Sequence, residues 1–173
     1  LDGARIWNAL VAKNQDPKEF GKLFDTISVC LSKGLGAPIG SVLLADKKTI
    51  HRALRIRKIF GGGMRQVGYL AAAGIYALDH NIERLAEDHR RAKELAAVLQ
   101  SKDWVASVEP VETNILIFTL TPQVNESQLI EKLKQKNILI SSMGQGKLRM
   151  VTHLDYREVM HTYVIETLEK LAI

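Results

Sequence analysis

A single lysine stands in a glycine-rich segment between two short apolar runs, and this stretch constrains the fold more than any other. Ile27–Leu31 predicts a short strand buried on both faces, and Val42–Leu44 predicts a second one directly afterwards. Three glycines and one proline separate Lys33 from the second run, which predicts a tight turn. A lysine held between two buried strands should lose water, and desolvation favours the neutral, nucleophilic amine. Taken alone, such a lysine is more often part of an ordinary loop.

Two further stretches carry the residue types that accompany a reactive lysine. The chain opens Leu-Asp-Gly-Ala-Arg, which places Asp2 at the end of a strand and Arg5 one helical turn beyond it. A second glycine-rich stretch, Arg57–Gln66, holds three consecutive glycines between Lys58 and Arg65. An acid, a lysine and a basic turn match the needs of pyridoxal 5′-phosphate (PLP), which takes a carboxylate on its ring nitrogen, a lysine on its aldehyde and donors for its phosphate.

The order of these three motifs and their residue types resemble those of the L-threonine aldolases of the low-specificity type, PLP enzymes of the β-eliminating lyase superfamily. The resemblance runs through essentially all 173 residues. It implies an α/β fold, the latter part of a fold type I (aspartate-aminotransferase-like) large domain followed by a small α+β domain. The division expected is residues 1–80 for the PLP-binding part and residues 81–173 for a linking helix and the small domain. It also implies a C-terminal portion only, without the stacking aromatic ring and the main phosphate loop.

The resemblance gives roles to individual residues. Lys33 resembles the family's Schiff-base lysine, and Asp2 resembles the aspartate paired with the pyridine nitrogen. Arg5 and Arg149 resemble the two arginines that bind the substrate carboxylate, which a planar guanidinium can hold through two parallel hydrogen bonds. Without the resemblance, Asp2 is a turn-forming residue after a strand, and the arginines are solvated surface charges.

Three more residues are candidates for binding the cofactor. Lys58 and Arg65 flank the triple glycine at basic positions that the resemblance places near the cofactor or its phosphate, in the same subunit or a neighbouring one. Ser32 precedes the lysine, and it either donates to the phosphate or ends its strand. His153 could act as an acid or base, but a hydrogen-bonded histidine in a turn is the better interpretation. No pair of histidines or carboxylates has the spacing of a metal site, so none is predicted.

The implied activity is the retro-aldol cleavage of L-threonine or L-allo-threonine to glycine and acetaldehyde. The implied assembly is a homodimer or homotetramer with active sites near the subunit interfaces. Two alternatives remain on the same scaffold, a β-eliminating lyase and a catalytically inactive remnant. A third is a basic module that binds nucleic acid through Arg52, Arg55, Arg57, Lys58 and Arg65. That cluster lacks interleaved exposed aromatics and any known nucleic-acid motif, so no nucleic-acid partner is predicted.

Charge and composition are compatible with this interpretation. A net charge of +5 and a pI near 9.4 are typical of proteins that bind phosphate and carboxylate groups, although they also allow an anionic surface as partner. The single cysteine excludes an internal disulfide. The apolar runs are far shorter than the roughly 20 residues of a membrane span, so no membrane partner and a cytoplasmic location are expected. A mitochondrial address cannot be read from a chain that resembles only part of the family's polypeptide.

Helix starts and short strands are also predicted along the rest of the chain. Asp16-Pro17 and Asp46 are typical helix starts, and Asn81 is interpreted as the cap of a long charged helix ending near Lys102. The predicted elements beyond it are strands over 105–108, 115–120, 138–141 and 148–151, and helices over 126–136 and 157–172. This mixture indicates a small domain with a mostly antiparallel sheet.

Overall fold

Helices and short strands alternate along the chain in the computed structural model, which describes all residues from Leu1 to Ile173. The helices are α1 (Ile6–Lys13), α2 (Pro17–Gly21), α3 (Lys47–Ile59), α4 (Gly68–His80), α5 (Leu85–Gln100), α6 (Glu126–Lys134) and α7 (Glu158–Lys170). The strands are β1 (Asp2–Gly3), β2 (Thr26–Cys30), β3 (Ser41–Ala45), β4 (Val105–Val108), β5 (Ile115–Leu120), β6 (Ser141–Gly144) and β7 (Lys147–Val151). The chain divides into two units, Leu1–Leu85 and Ala86–Ile173. None of the helices combines the length and the apolar character needed to cross a lipid bilayer.

The first unit is built on a three-stranded sheet in the order β1-β2-β3. Strand β1 pairs with β2 in parallel, with Asp2 opposite Ser28, and β2 pairs with β3 in the antiparallel sense. Gly3 permits the first pairing, because a Cβ at this position would lie 2.7 Å from the carbonyl oxygen of Ser28. Parallel pairing brings the carboxyl ends of β1 and β2 to the same edge of the sheet.

The strand before the lysine is buried on one face only. Ile27 and Val29 are both 4% exposed, whereas Thr26 and Ser28, which alternate with them, are exposed. The prediction that this strand is buried on both faces is therefore wrong. Its apolar residues alternate with small polar ones, which is the pattern of a strand with one covered face. Strand β3 is likewise mostly exposed in this chain.

Two predicted helix starts are confirmed, and one is wrong. The Asp16 carboxylate accepts a hydrogen bond from the backbone N–H of Lys18 at the start of α2, and Asp46 accepts one from Thr49 at the start of α3. Asn81, however, ends α4 instead of starting α5, which begins four residues later. Asn81 has helical dihedrals, φ −110° and ψ −2°, whereas an N-cap residue has extended ones, and its amide nitrogen donates to the carbonyl of Leu35.

The triple glycine turns the chain back on the end of α3. Gly61 has a φ of +81°, and its N–H donates to the carbonyl of Lys58. The N–H of Gly62 donates to the carbonyl of Arg57 at 2.8 Å, which completes a Schellman motif. The next glycine, Gly63, lies so close to the Lys58 stem that a Cβ there would be 2.6 Å from its Cδ. Consecutive glycines are thus needed for both the backbone conformation and the close approach.

The second unit is a four-stranded sheet in the order β4-β5-β7-β6, with every neighbouring pair antiparallel. This arrangement confirms the predicted small α+β domain. One face of the sheet packs with side chains of the three helices of this unit into a single core. Its most deeply buried residues are Leu99, Leu116, Phe118, Leu129, Leu133, Leu148 and Leu168.

One strand of this unit lies elsewhere than predicted. The sequence predicts a strand over 138–141, but the structure places β6 at Ser141–Gly144. Ile138 is buried in the core from the segment that precedes the strand, and its backbone N–H donates to the carbonyl of Leu133 at the end of α6. The apolar character of this stretch therefore reflects core packing of a connecting segment and not strand pairing.

Candidate active site

Lys33 is the first residue of a tight turn that leaves the end of β2. Its carbonyl accepts a hydrogen bond from the N–H of Gly36 at 3.0 Å, which defines a β-turn. The N–H of Ala37 returns to the carbonyl of Leu31, also at 3.0 Å. Leu35, in the middle of the turn, is only 1% exposed. The turn is therefore fixed by two backbone hydrogen bonds and by the buried Leu35, while the Lys33 side chain is exposed to solvent.

Asp2 lies at the same edge of the sheet as this turn. Strand β1 runs parallel to β2 with Asp2 opposite Ser28, and Lys33 lies three residues beyond the end of β2. One carboxylate oxygen of Asp2 accepts a hydrogen bond from the N–H of Ala4 at 3.0 Å. Arg5 immediately precedes α1 and is half-buried. The segments around the ends of β1 and β2 thus carry Asp2, Arg5 and Lys33, and their meeting in one site stays a prediction.

The Lys33 side chain is exposed in this chain. The expectation that two buried strands desolvate it is therefore wrong for the chain as it stands. The physical reason is that β2 leaves one face open and β3 is mostly exposed, so neither strand shields the amine from water.

Cys30 and Ser32 border the lysine at the end of β2. The Cys30 sulfur lies 3.5 Å from the Ser32 hydroxyl oxygen. Burial raises the pKa of the Cys30 thiol, but hydrogen bonds from Ser32 and the charge of Lys33 outweigh it, and the pKa lies below its ordinary value. The lowering of the pKa comes mainly from hydrogen bonds with Ser32, and the charge of Lys33 adds to it.

Lys58 and Arg65 lie on either side of the triple-glycine turn, and both side chains are exposed. The Lys58 stem packs against Gly63, whereas Arg65 follows the turn and precedes Gln66, whose φ is +48°. No hydrogen bond joins this turn to the lysine turn. The two residues thus form a separate basic group, and their role toward a cofactor stays a prediction.

Arg149 belongs to the second unit, in the middle of β7. Its neighbours Leu148 and Met150 are buried in the core, so Arg149 projects from the opposite face of the sheet. There it is half-buried between its strand partners Ile117 and Ser141. The guanidinium of Arg149 therefore lies on the face of the sheet opposite the hydrophobic core, where it can bind an anion.

His153 follows β7 and lies in a turn, in agreement with the interpretation preferred from the sequence. Its Nδ1 accepts a hydrogen bond from the N–H of Asp155 at 3.2 Å, and its carbonyl accepts one from Tyr156. The ring is exposed.

Two asparagines contact the lysine turn, and the sequence predicted this contact for neither of them. Asn8 is 2% exposed, and its amide lies against the α-carbon of Gly34. Asn81 donates to the carbonyl of Leu35 at 2.7 Å. A sequence signal existed for Asn8, because it is a polar residue inside the apolar stretch Ile-Trp-Asn-Ala-Leu of α1. Nothing comparable marks Asn81, which looks like an ordinary helix cap.

Comparison with known proteins agrees with the motifs. Residues 1–122 match the β-eliminating lyase family, and the chain belongs to that family. It is 47% identical over 155 residues to the low specificity L-threonine aldolase of Escherichia coli K12, covering 90% of this chain and 45% of that protein. It is 39% identical over 156 residues to the low-specificity L-threonine aldolase 1 of Arabidopsis thaliana, covering 88% of this chain and 44% of that protein. The chain thus spans about half the length of the curated relatives that it matches.

The fold is shared with solved structures. The threonine aldolase of Leishmania major superposes with a TM-score of 0.73 at 19% identity, covering 98% of this chain and 50% of that one. This likeness confirms the predicted fold class, the latter part of a fold type I large domain followed by a small α+β domain.

Proposed function

We propose that this chain is the portion of an L-threonine aldolase that carries the cofactor lysine, and that the enzyme cleaves L-threonine or L-allo-threonine to glycine and acetaldehyde. The observation that carries the proposal is the parallel pairing of β1, which holds Asp2, with β2, which leads into the Lys33 turn. Ligands of open α/β sheets bind outside the carboxyl ends of the strands. The similarity of the relatives named above supports the substrate class.

The residues at this edge fit PLP, the cofactor that membership of this family implies. PLP requires a carboxylate at the ring nitrogen and a primary amine for its aldehyde, and Asp2 and Lys33 supply them. Its phosphate requires donors, and the exposed Ser32 hydroxyl beside Lys33 can supply one. We propose that Lys58 and Arg65 add positive charge toward the same cofactor or that of a neighbouring subunit. When bound, PLP supplies a conjugated ring that accepts the electron pair released by cleavage of the Cα–Cβ bond.

The chain's own residues would then act as follows. Lys33 supplies the amine that attaches the cofactor to the protein, and the anchored turn presents that amine outward. Asp2 places a negative charge beside the ring nitrogen, which keeps the nitrogen protonated and the ring electron-withdrawing. Its orientation is set in advance by the hydrogen bond from Ala4.

The two arginines are proposed to bind the substrate carboxylate. Arg5 stands at the sheet edge that carries Asp2, and Arg149 projects from the open face of the sheet in the second unit. Binding of the substrate carboxylate sets the orientation of the Cα–Cβ bond, and this orientation determines which bond is cleaved. Replacing either arginine by alanine should weaken substrate binding by about 2–5 kcal/mol, the cost of truncating one partner of a buried charge pair, while PLP binding is retained. An Arg149→Ala enzyme with an unchanged KM and kcat would contradict this role.

The division of the chain follows from the same proposal. We propose that residues 1–80 belong to the PLP-binding domain and that residues 81–173 form the linking helix and the small domain. Many large apolar side chains of the first unit are exposed, which supports their coverage by further polypeptide in a homodimer or homotetramer. The most exposed are Leu23, Ile59, Phe60 and Tyr69. In isolation the chain should therefore self-associate, and sedimentation showing a monomer with cooperative unfolding would contradict this part of the proposal.

A chimera provides the test of activity. The matching stretch of the E. coli relative, which is 47% identical, is replaced by this chain. We expect the chimera to release glycine and acetaldehyde from L-threonine, and its Lys33→Ala variant to release neither. The runner-up function, favoured by the family's description as β-eliminating lyases, predicts pyruvate and ammonia from L-serine instead. A chimera that binds PLP but gives only pyruvate would refute the aldolase assignment.

A further inference from the structure

The backbone of the lysine turn is held from both sides by asparagine side chains. On one side, the Nδ2 of Asn81 donates to the carbonyl of Leu35 at 2.7 Å, two residues after the lysine. The Leu35 side chain is buried in an apolar cluster with Ala37, Ala77 and Leu85. Both the main chain and the side chain of this residue are thus fixed, although the lysine two positions earlier is exposed.

On the other side, Asn8 from α1 lies against Gly34. A Cβ at position 34 would come within 2.9 Å of both the Oδ1 of Asn8 and the Cδ2 of Leu85, closer than real Cβ contacts. The φ of Gly34 is not in the left-handed region, so glycine is required here by space and not by backbone conformation. The residue directly after the lysine is therefore enclosed by a buried amide and a buried leucine.

We propose that Asn81 is a positioning residue for Lys33, acting with the contact between Asn8 and Gly34 to fix the direction in which the lysine leaves the sheet. The inference rests on the proposed role of Lys33 as the cofactor amine. An exposed lysine has many rotamers, and a rigid turn removes the backbone's share of that freedom. Asn81 thus acts through the turn and touches no reacting atom.

The test uses hydrogen exchange of the chain itself. In Asn81→Leu the donor is lost without a change of charge, which leaves the Leu35 carbonyl without its partner. Exchange of the Gly36 and Ala37 amides, whose hydrogen bonds close the turn, should accelerate by about five- to a hundred-fold, the range for one buried polar group left unsatisfied. Exchange in the second unit should not change.

A matched pair of substitutions isolates the donor. Asn81→Asp replaces the N–H donor by an oxygen of nearly the same shape and should accelerate exchange at the turn in the same way. Asn125→Asp makes the identical chemical change where the side chain only accepts, from the N–H of Gln128, and should leave exchange unaltered. For the glycine, Gly34→Ala should accelerate exchange, whereas Gly21→Ala should not, because nothing lies within 4 Å of a Cβ there.

A second measurement separates positioning from mere folding. The chimera described above is treated with PLP and borohydride, and the label on Lys33 is divided by the label on the exposed Lys18 and Lys134 in the same digest. The Asn81→Leu variant should lose the excess on Lys33, and Asn125→Asp should keep it. Unchanged exchange at Gly36 and Ala37 would overturn the inference, as would faster exchange with an unchanged label ratio. Absence of any Lys33 excess in the chimera without these substitutions would instead refute the proposed function, while the exchange result still decides whether Asn81 holds the turn.

Discussion

Truncation of two neighbouring residues of β7 should destabilise the chain to very different extents. Leu148 is fully buried in the core of the second unit, and Arg149 projects from the other face of the same strand. Leu148→Ala removes about three carbon groups, worth about 0.8 kcal/mol each in transfer, and leaves a cavity among packed neighbours. The sum predicts a loss of about 3–5 kcal/mol in the free energy of unfolding. Arg149→Ala should cost less than about 1 kcal/mol, since its side chain is outside the core.

Tryptophan fluorescence in a urea titration measures this difference. Trp104 packs edge-on against Phe118 in the second unit, with ring centroids 6.4 Å apart, so its emission reports that core. Trp7 lies in the first unit and is replaced by phenylalanine in all variants to remove its signal. Equal losses for Leu148→Ala and Arg149→Ala would show that the arginine belongs to the core, and its assignment to the open face would be refuted.

Three further predictions concern local interactions. The pKa of Glu94 lies below its ordinary value, mainly because Arg90 hydrogen-bonds to it, with His161 adding a contact at 2.7 Å. The stability that this contributes is present above the unfolded pKa of about 4.3 and is lost as pH falls through the lower folded value. The free energy of unfolding from urea titrations should therefore fall more steeply, as the pH is lowered from 6 to 3, for the unmodified chain than for Glu94→Gln, by no more than about 1 kcal/mol for so exposed a pair; parallel curves would contradict this. Asp46→Ala should destabilise α3 by about 1 kcal/mol and Asp46→Asn hardly at all, as thermal unfolding followed by circular dichroism would show; equal losses would exclude the cap. Gly61→Ala should cost about 1–2 kcal/mol because of its positive φ, measured against Gly68→Ala, which has open space around it; equal effects would rule out a left-handed requirement.

Local motifs predicted the lysine turn and the triple-glycine turn well because each is confined to a few adjacent residues. The strand end with Asp2, the lysine turn and the triple glycine depend on short-range turn chemistry, so the sequence indicates both their place and their form. The α+β character of the second unit was also predictable, since its strands and helices have clear apolar periodicity.

Burial and side-chain partners were harder to predict because they depend on distant parts of the chain. The apolar run before Lys33 suggested a strand covered on both faces, although its alternation with Thr26 and Ser28 indicated one open face. Asparagine is a common helix cap, so the sequence suggested that role for Asn81. Its side chain instead donates a hydrogen bond to a carbonyl 46 positions away, a contact that no local pattern encodes. The stretch near Ile138 was misassigned as a strand for the same reason, because core packing of a connecting segment requires the same apolar residues as a strand.

The central claim is that Lys33 is the amine that holds the cofactor, and the location of a reduced PLP adduct tests it most directly. The chimera described above is incubated with PLP, treated with borohydride and digested, and the modified peptide is identified by mass spectrometry. We predict that the label lies on the peptide containing Lys33, and that Lys33→Ala loses both this label and the yellow absorbance of the untreated protein. A label spread evenly over many lysines, or a yellow Lys33→Ala protein, would contradict the claim.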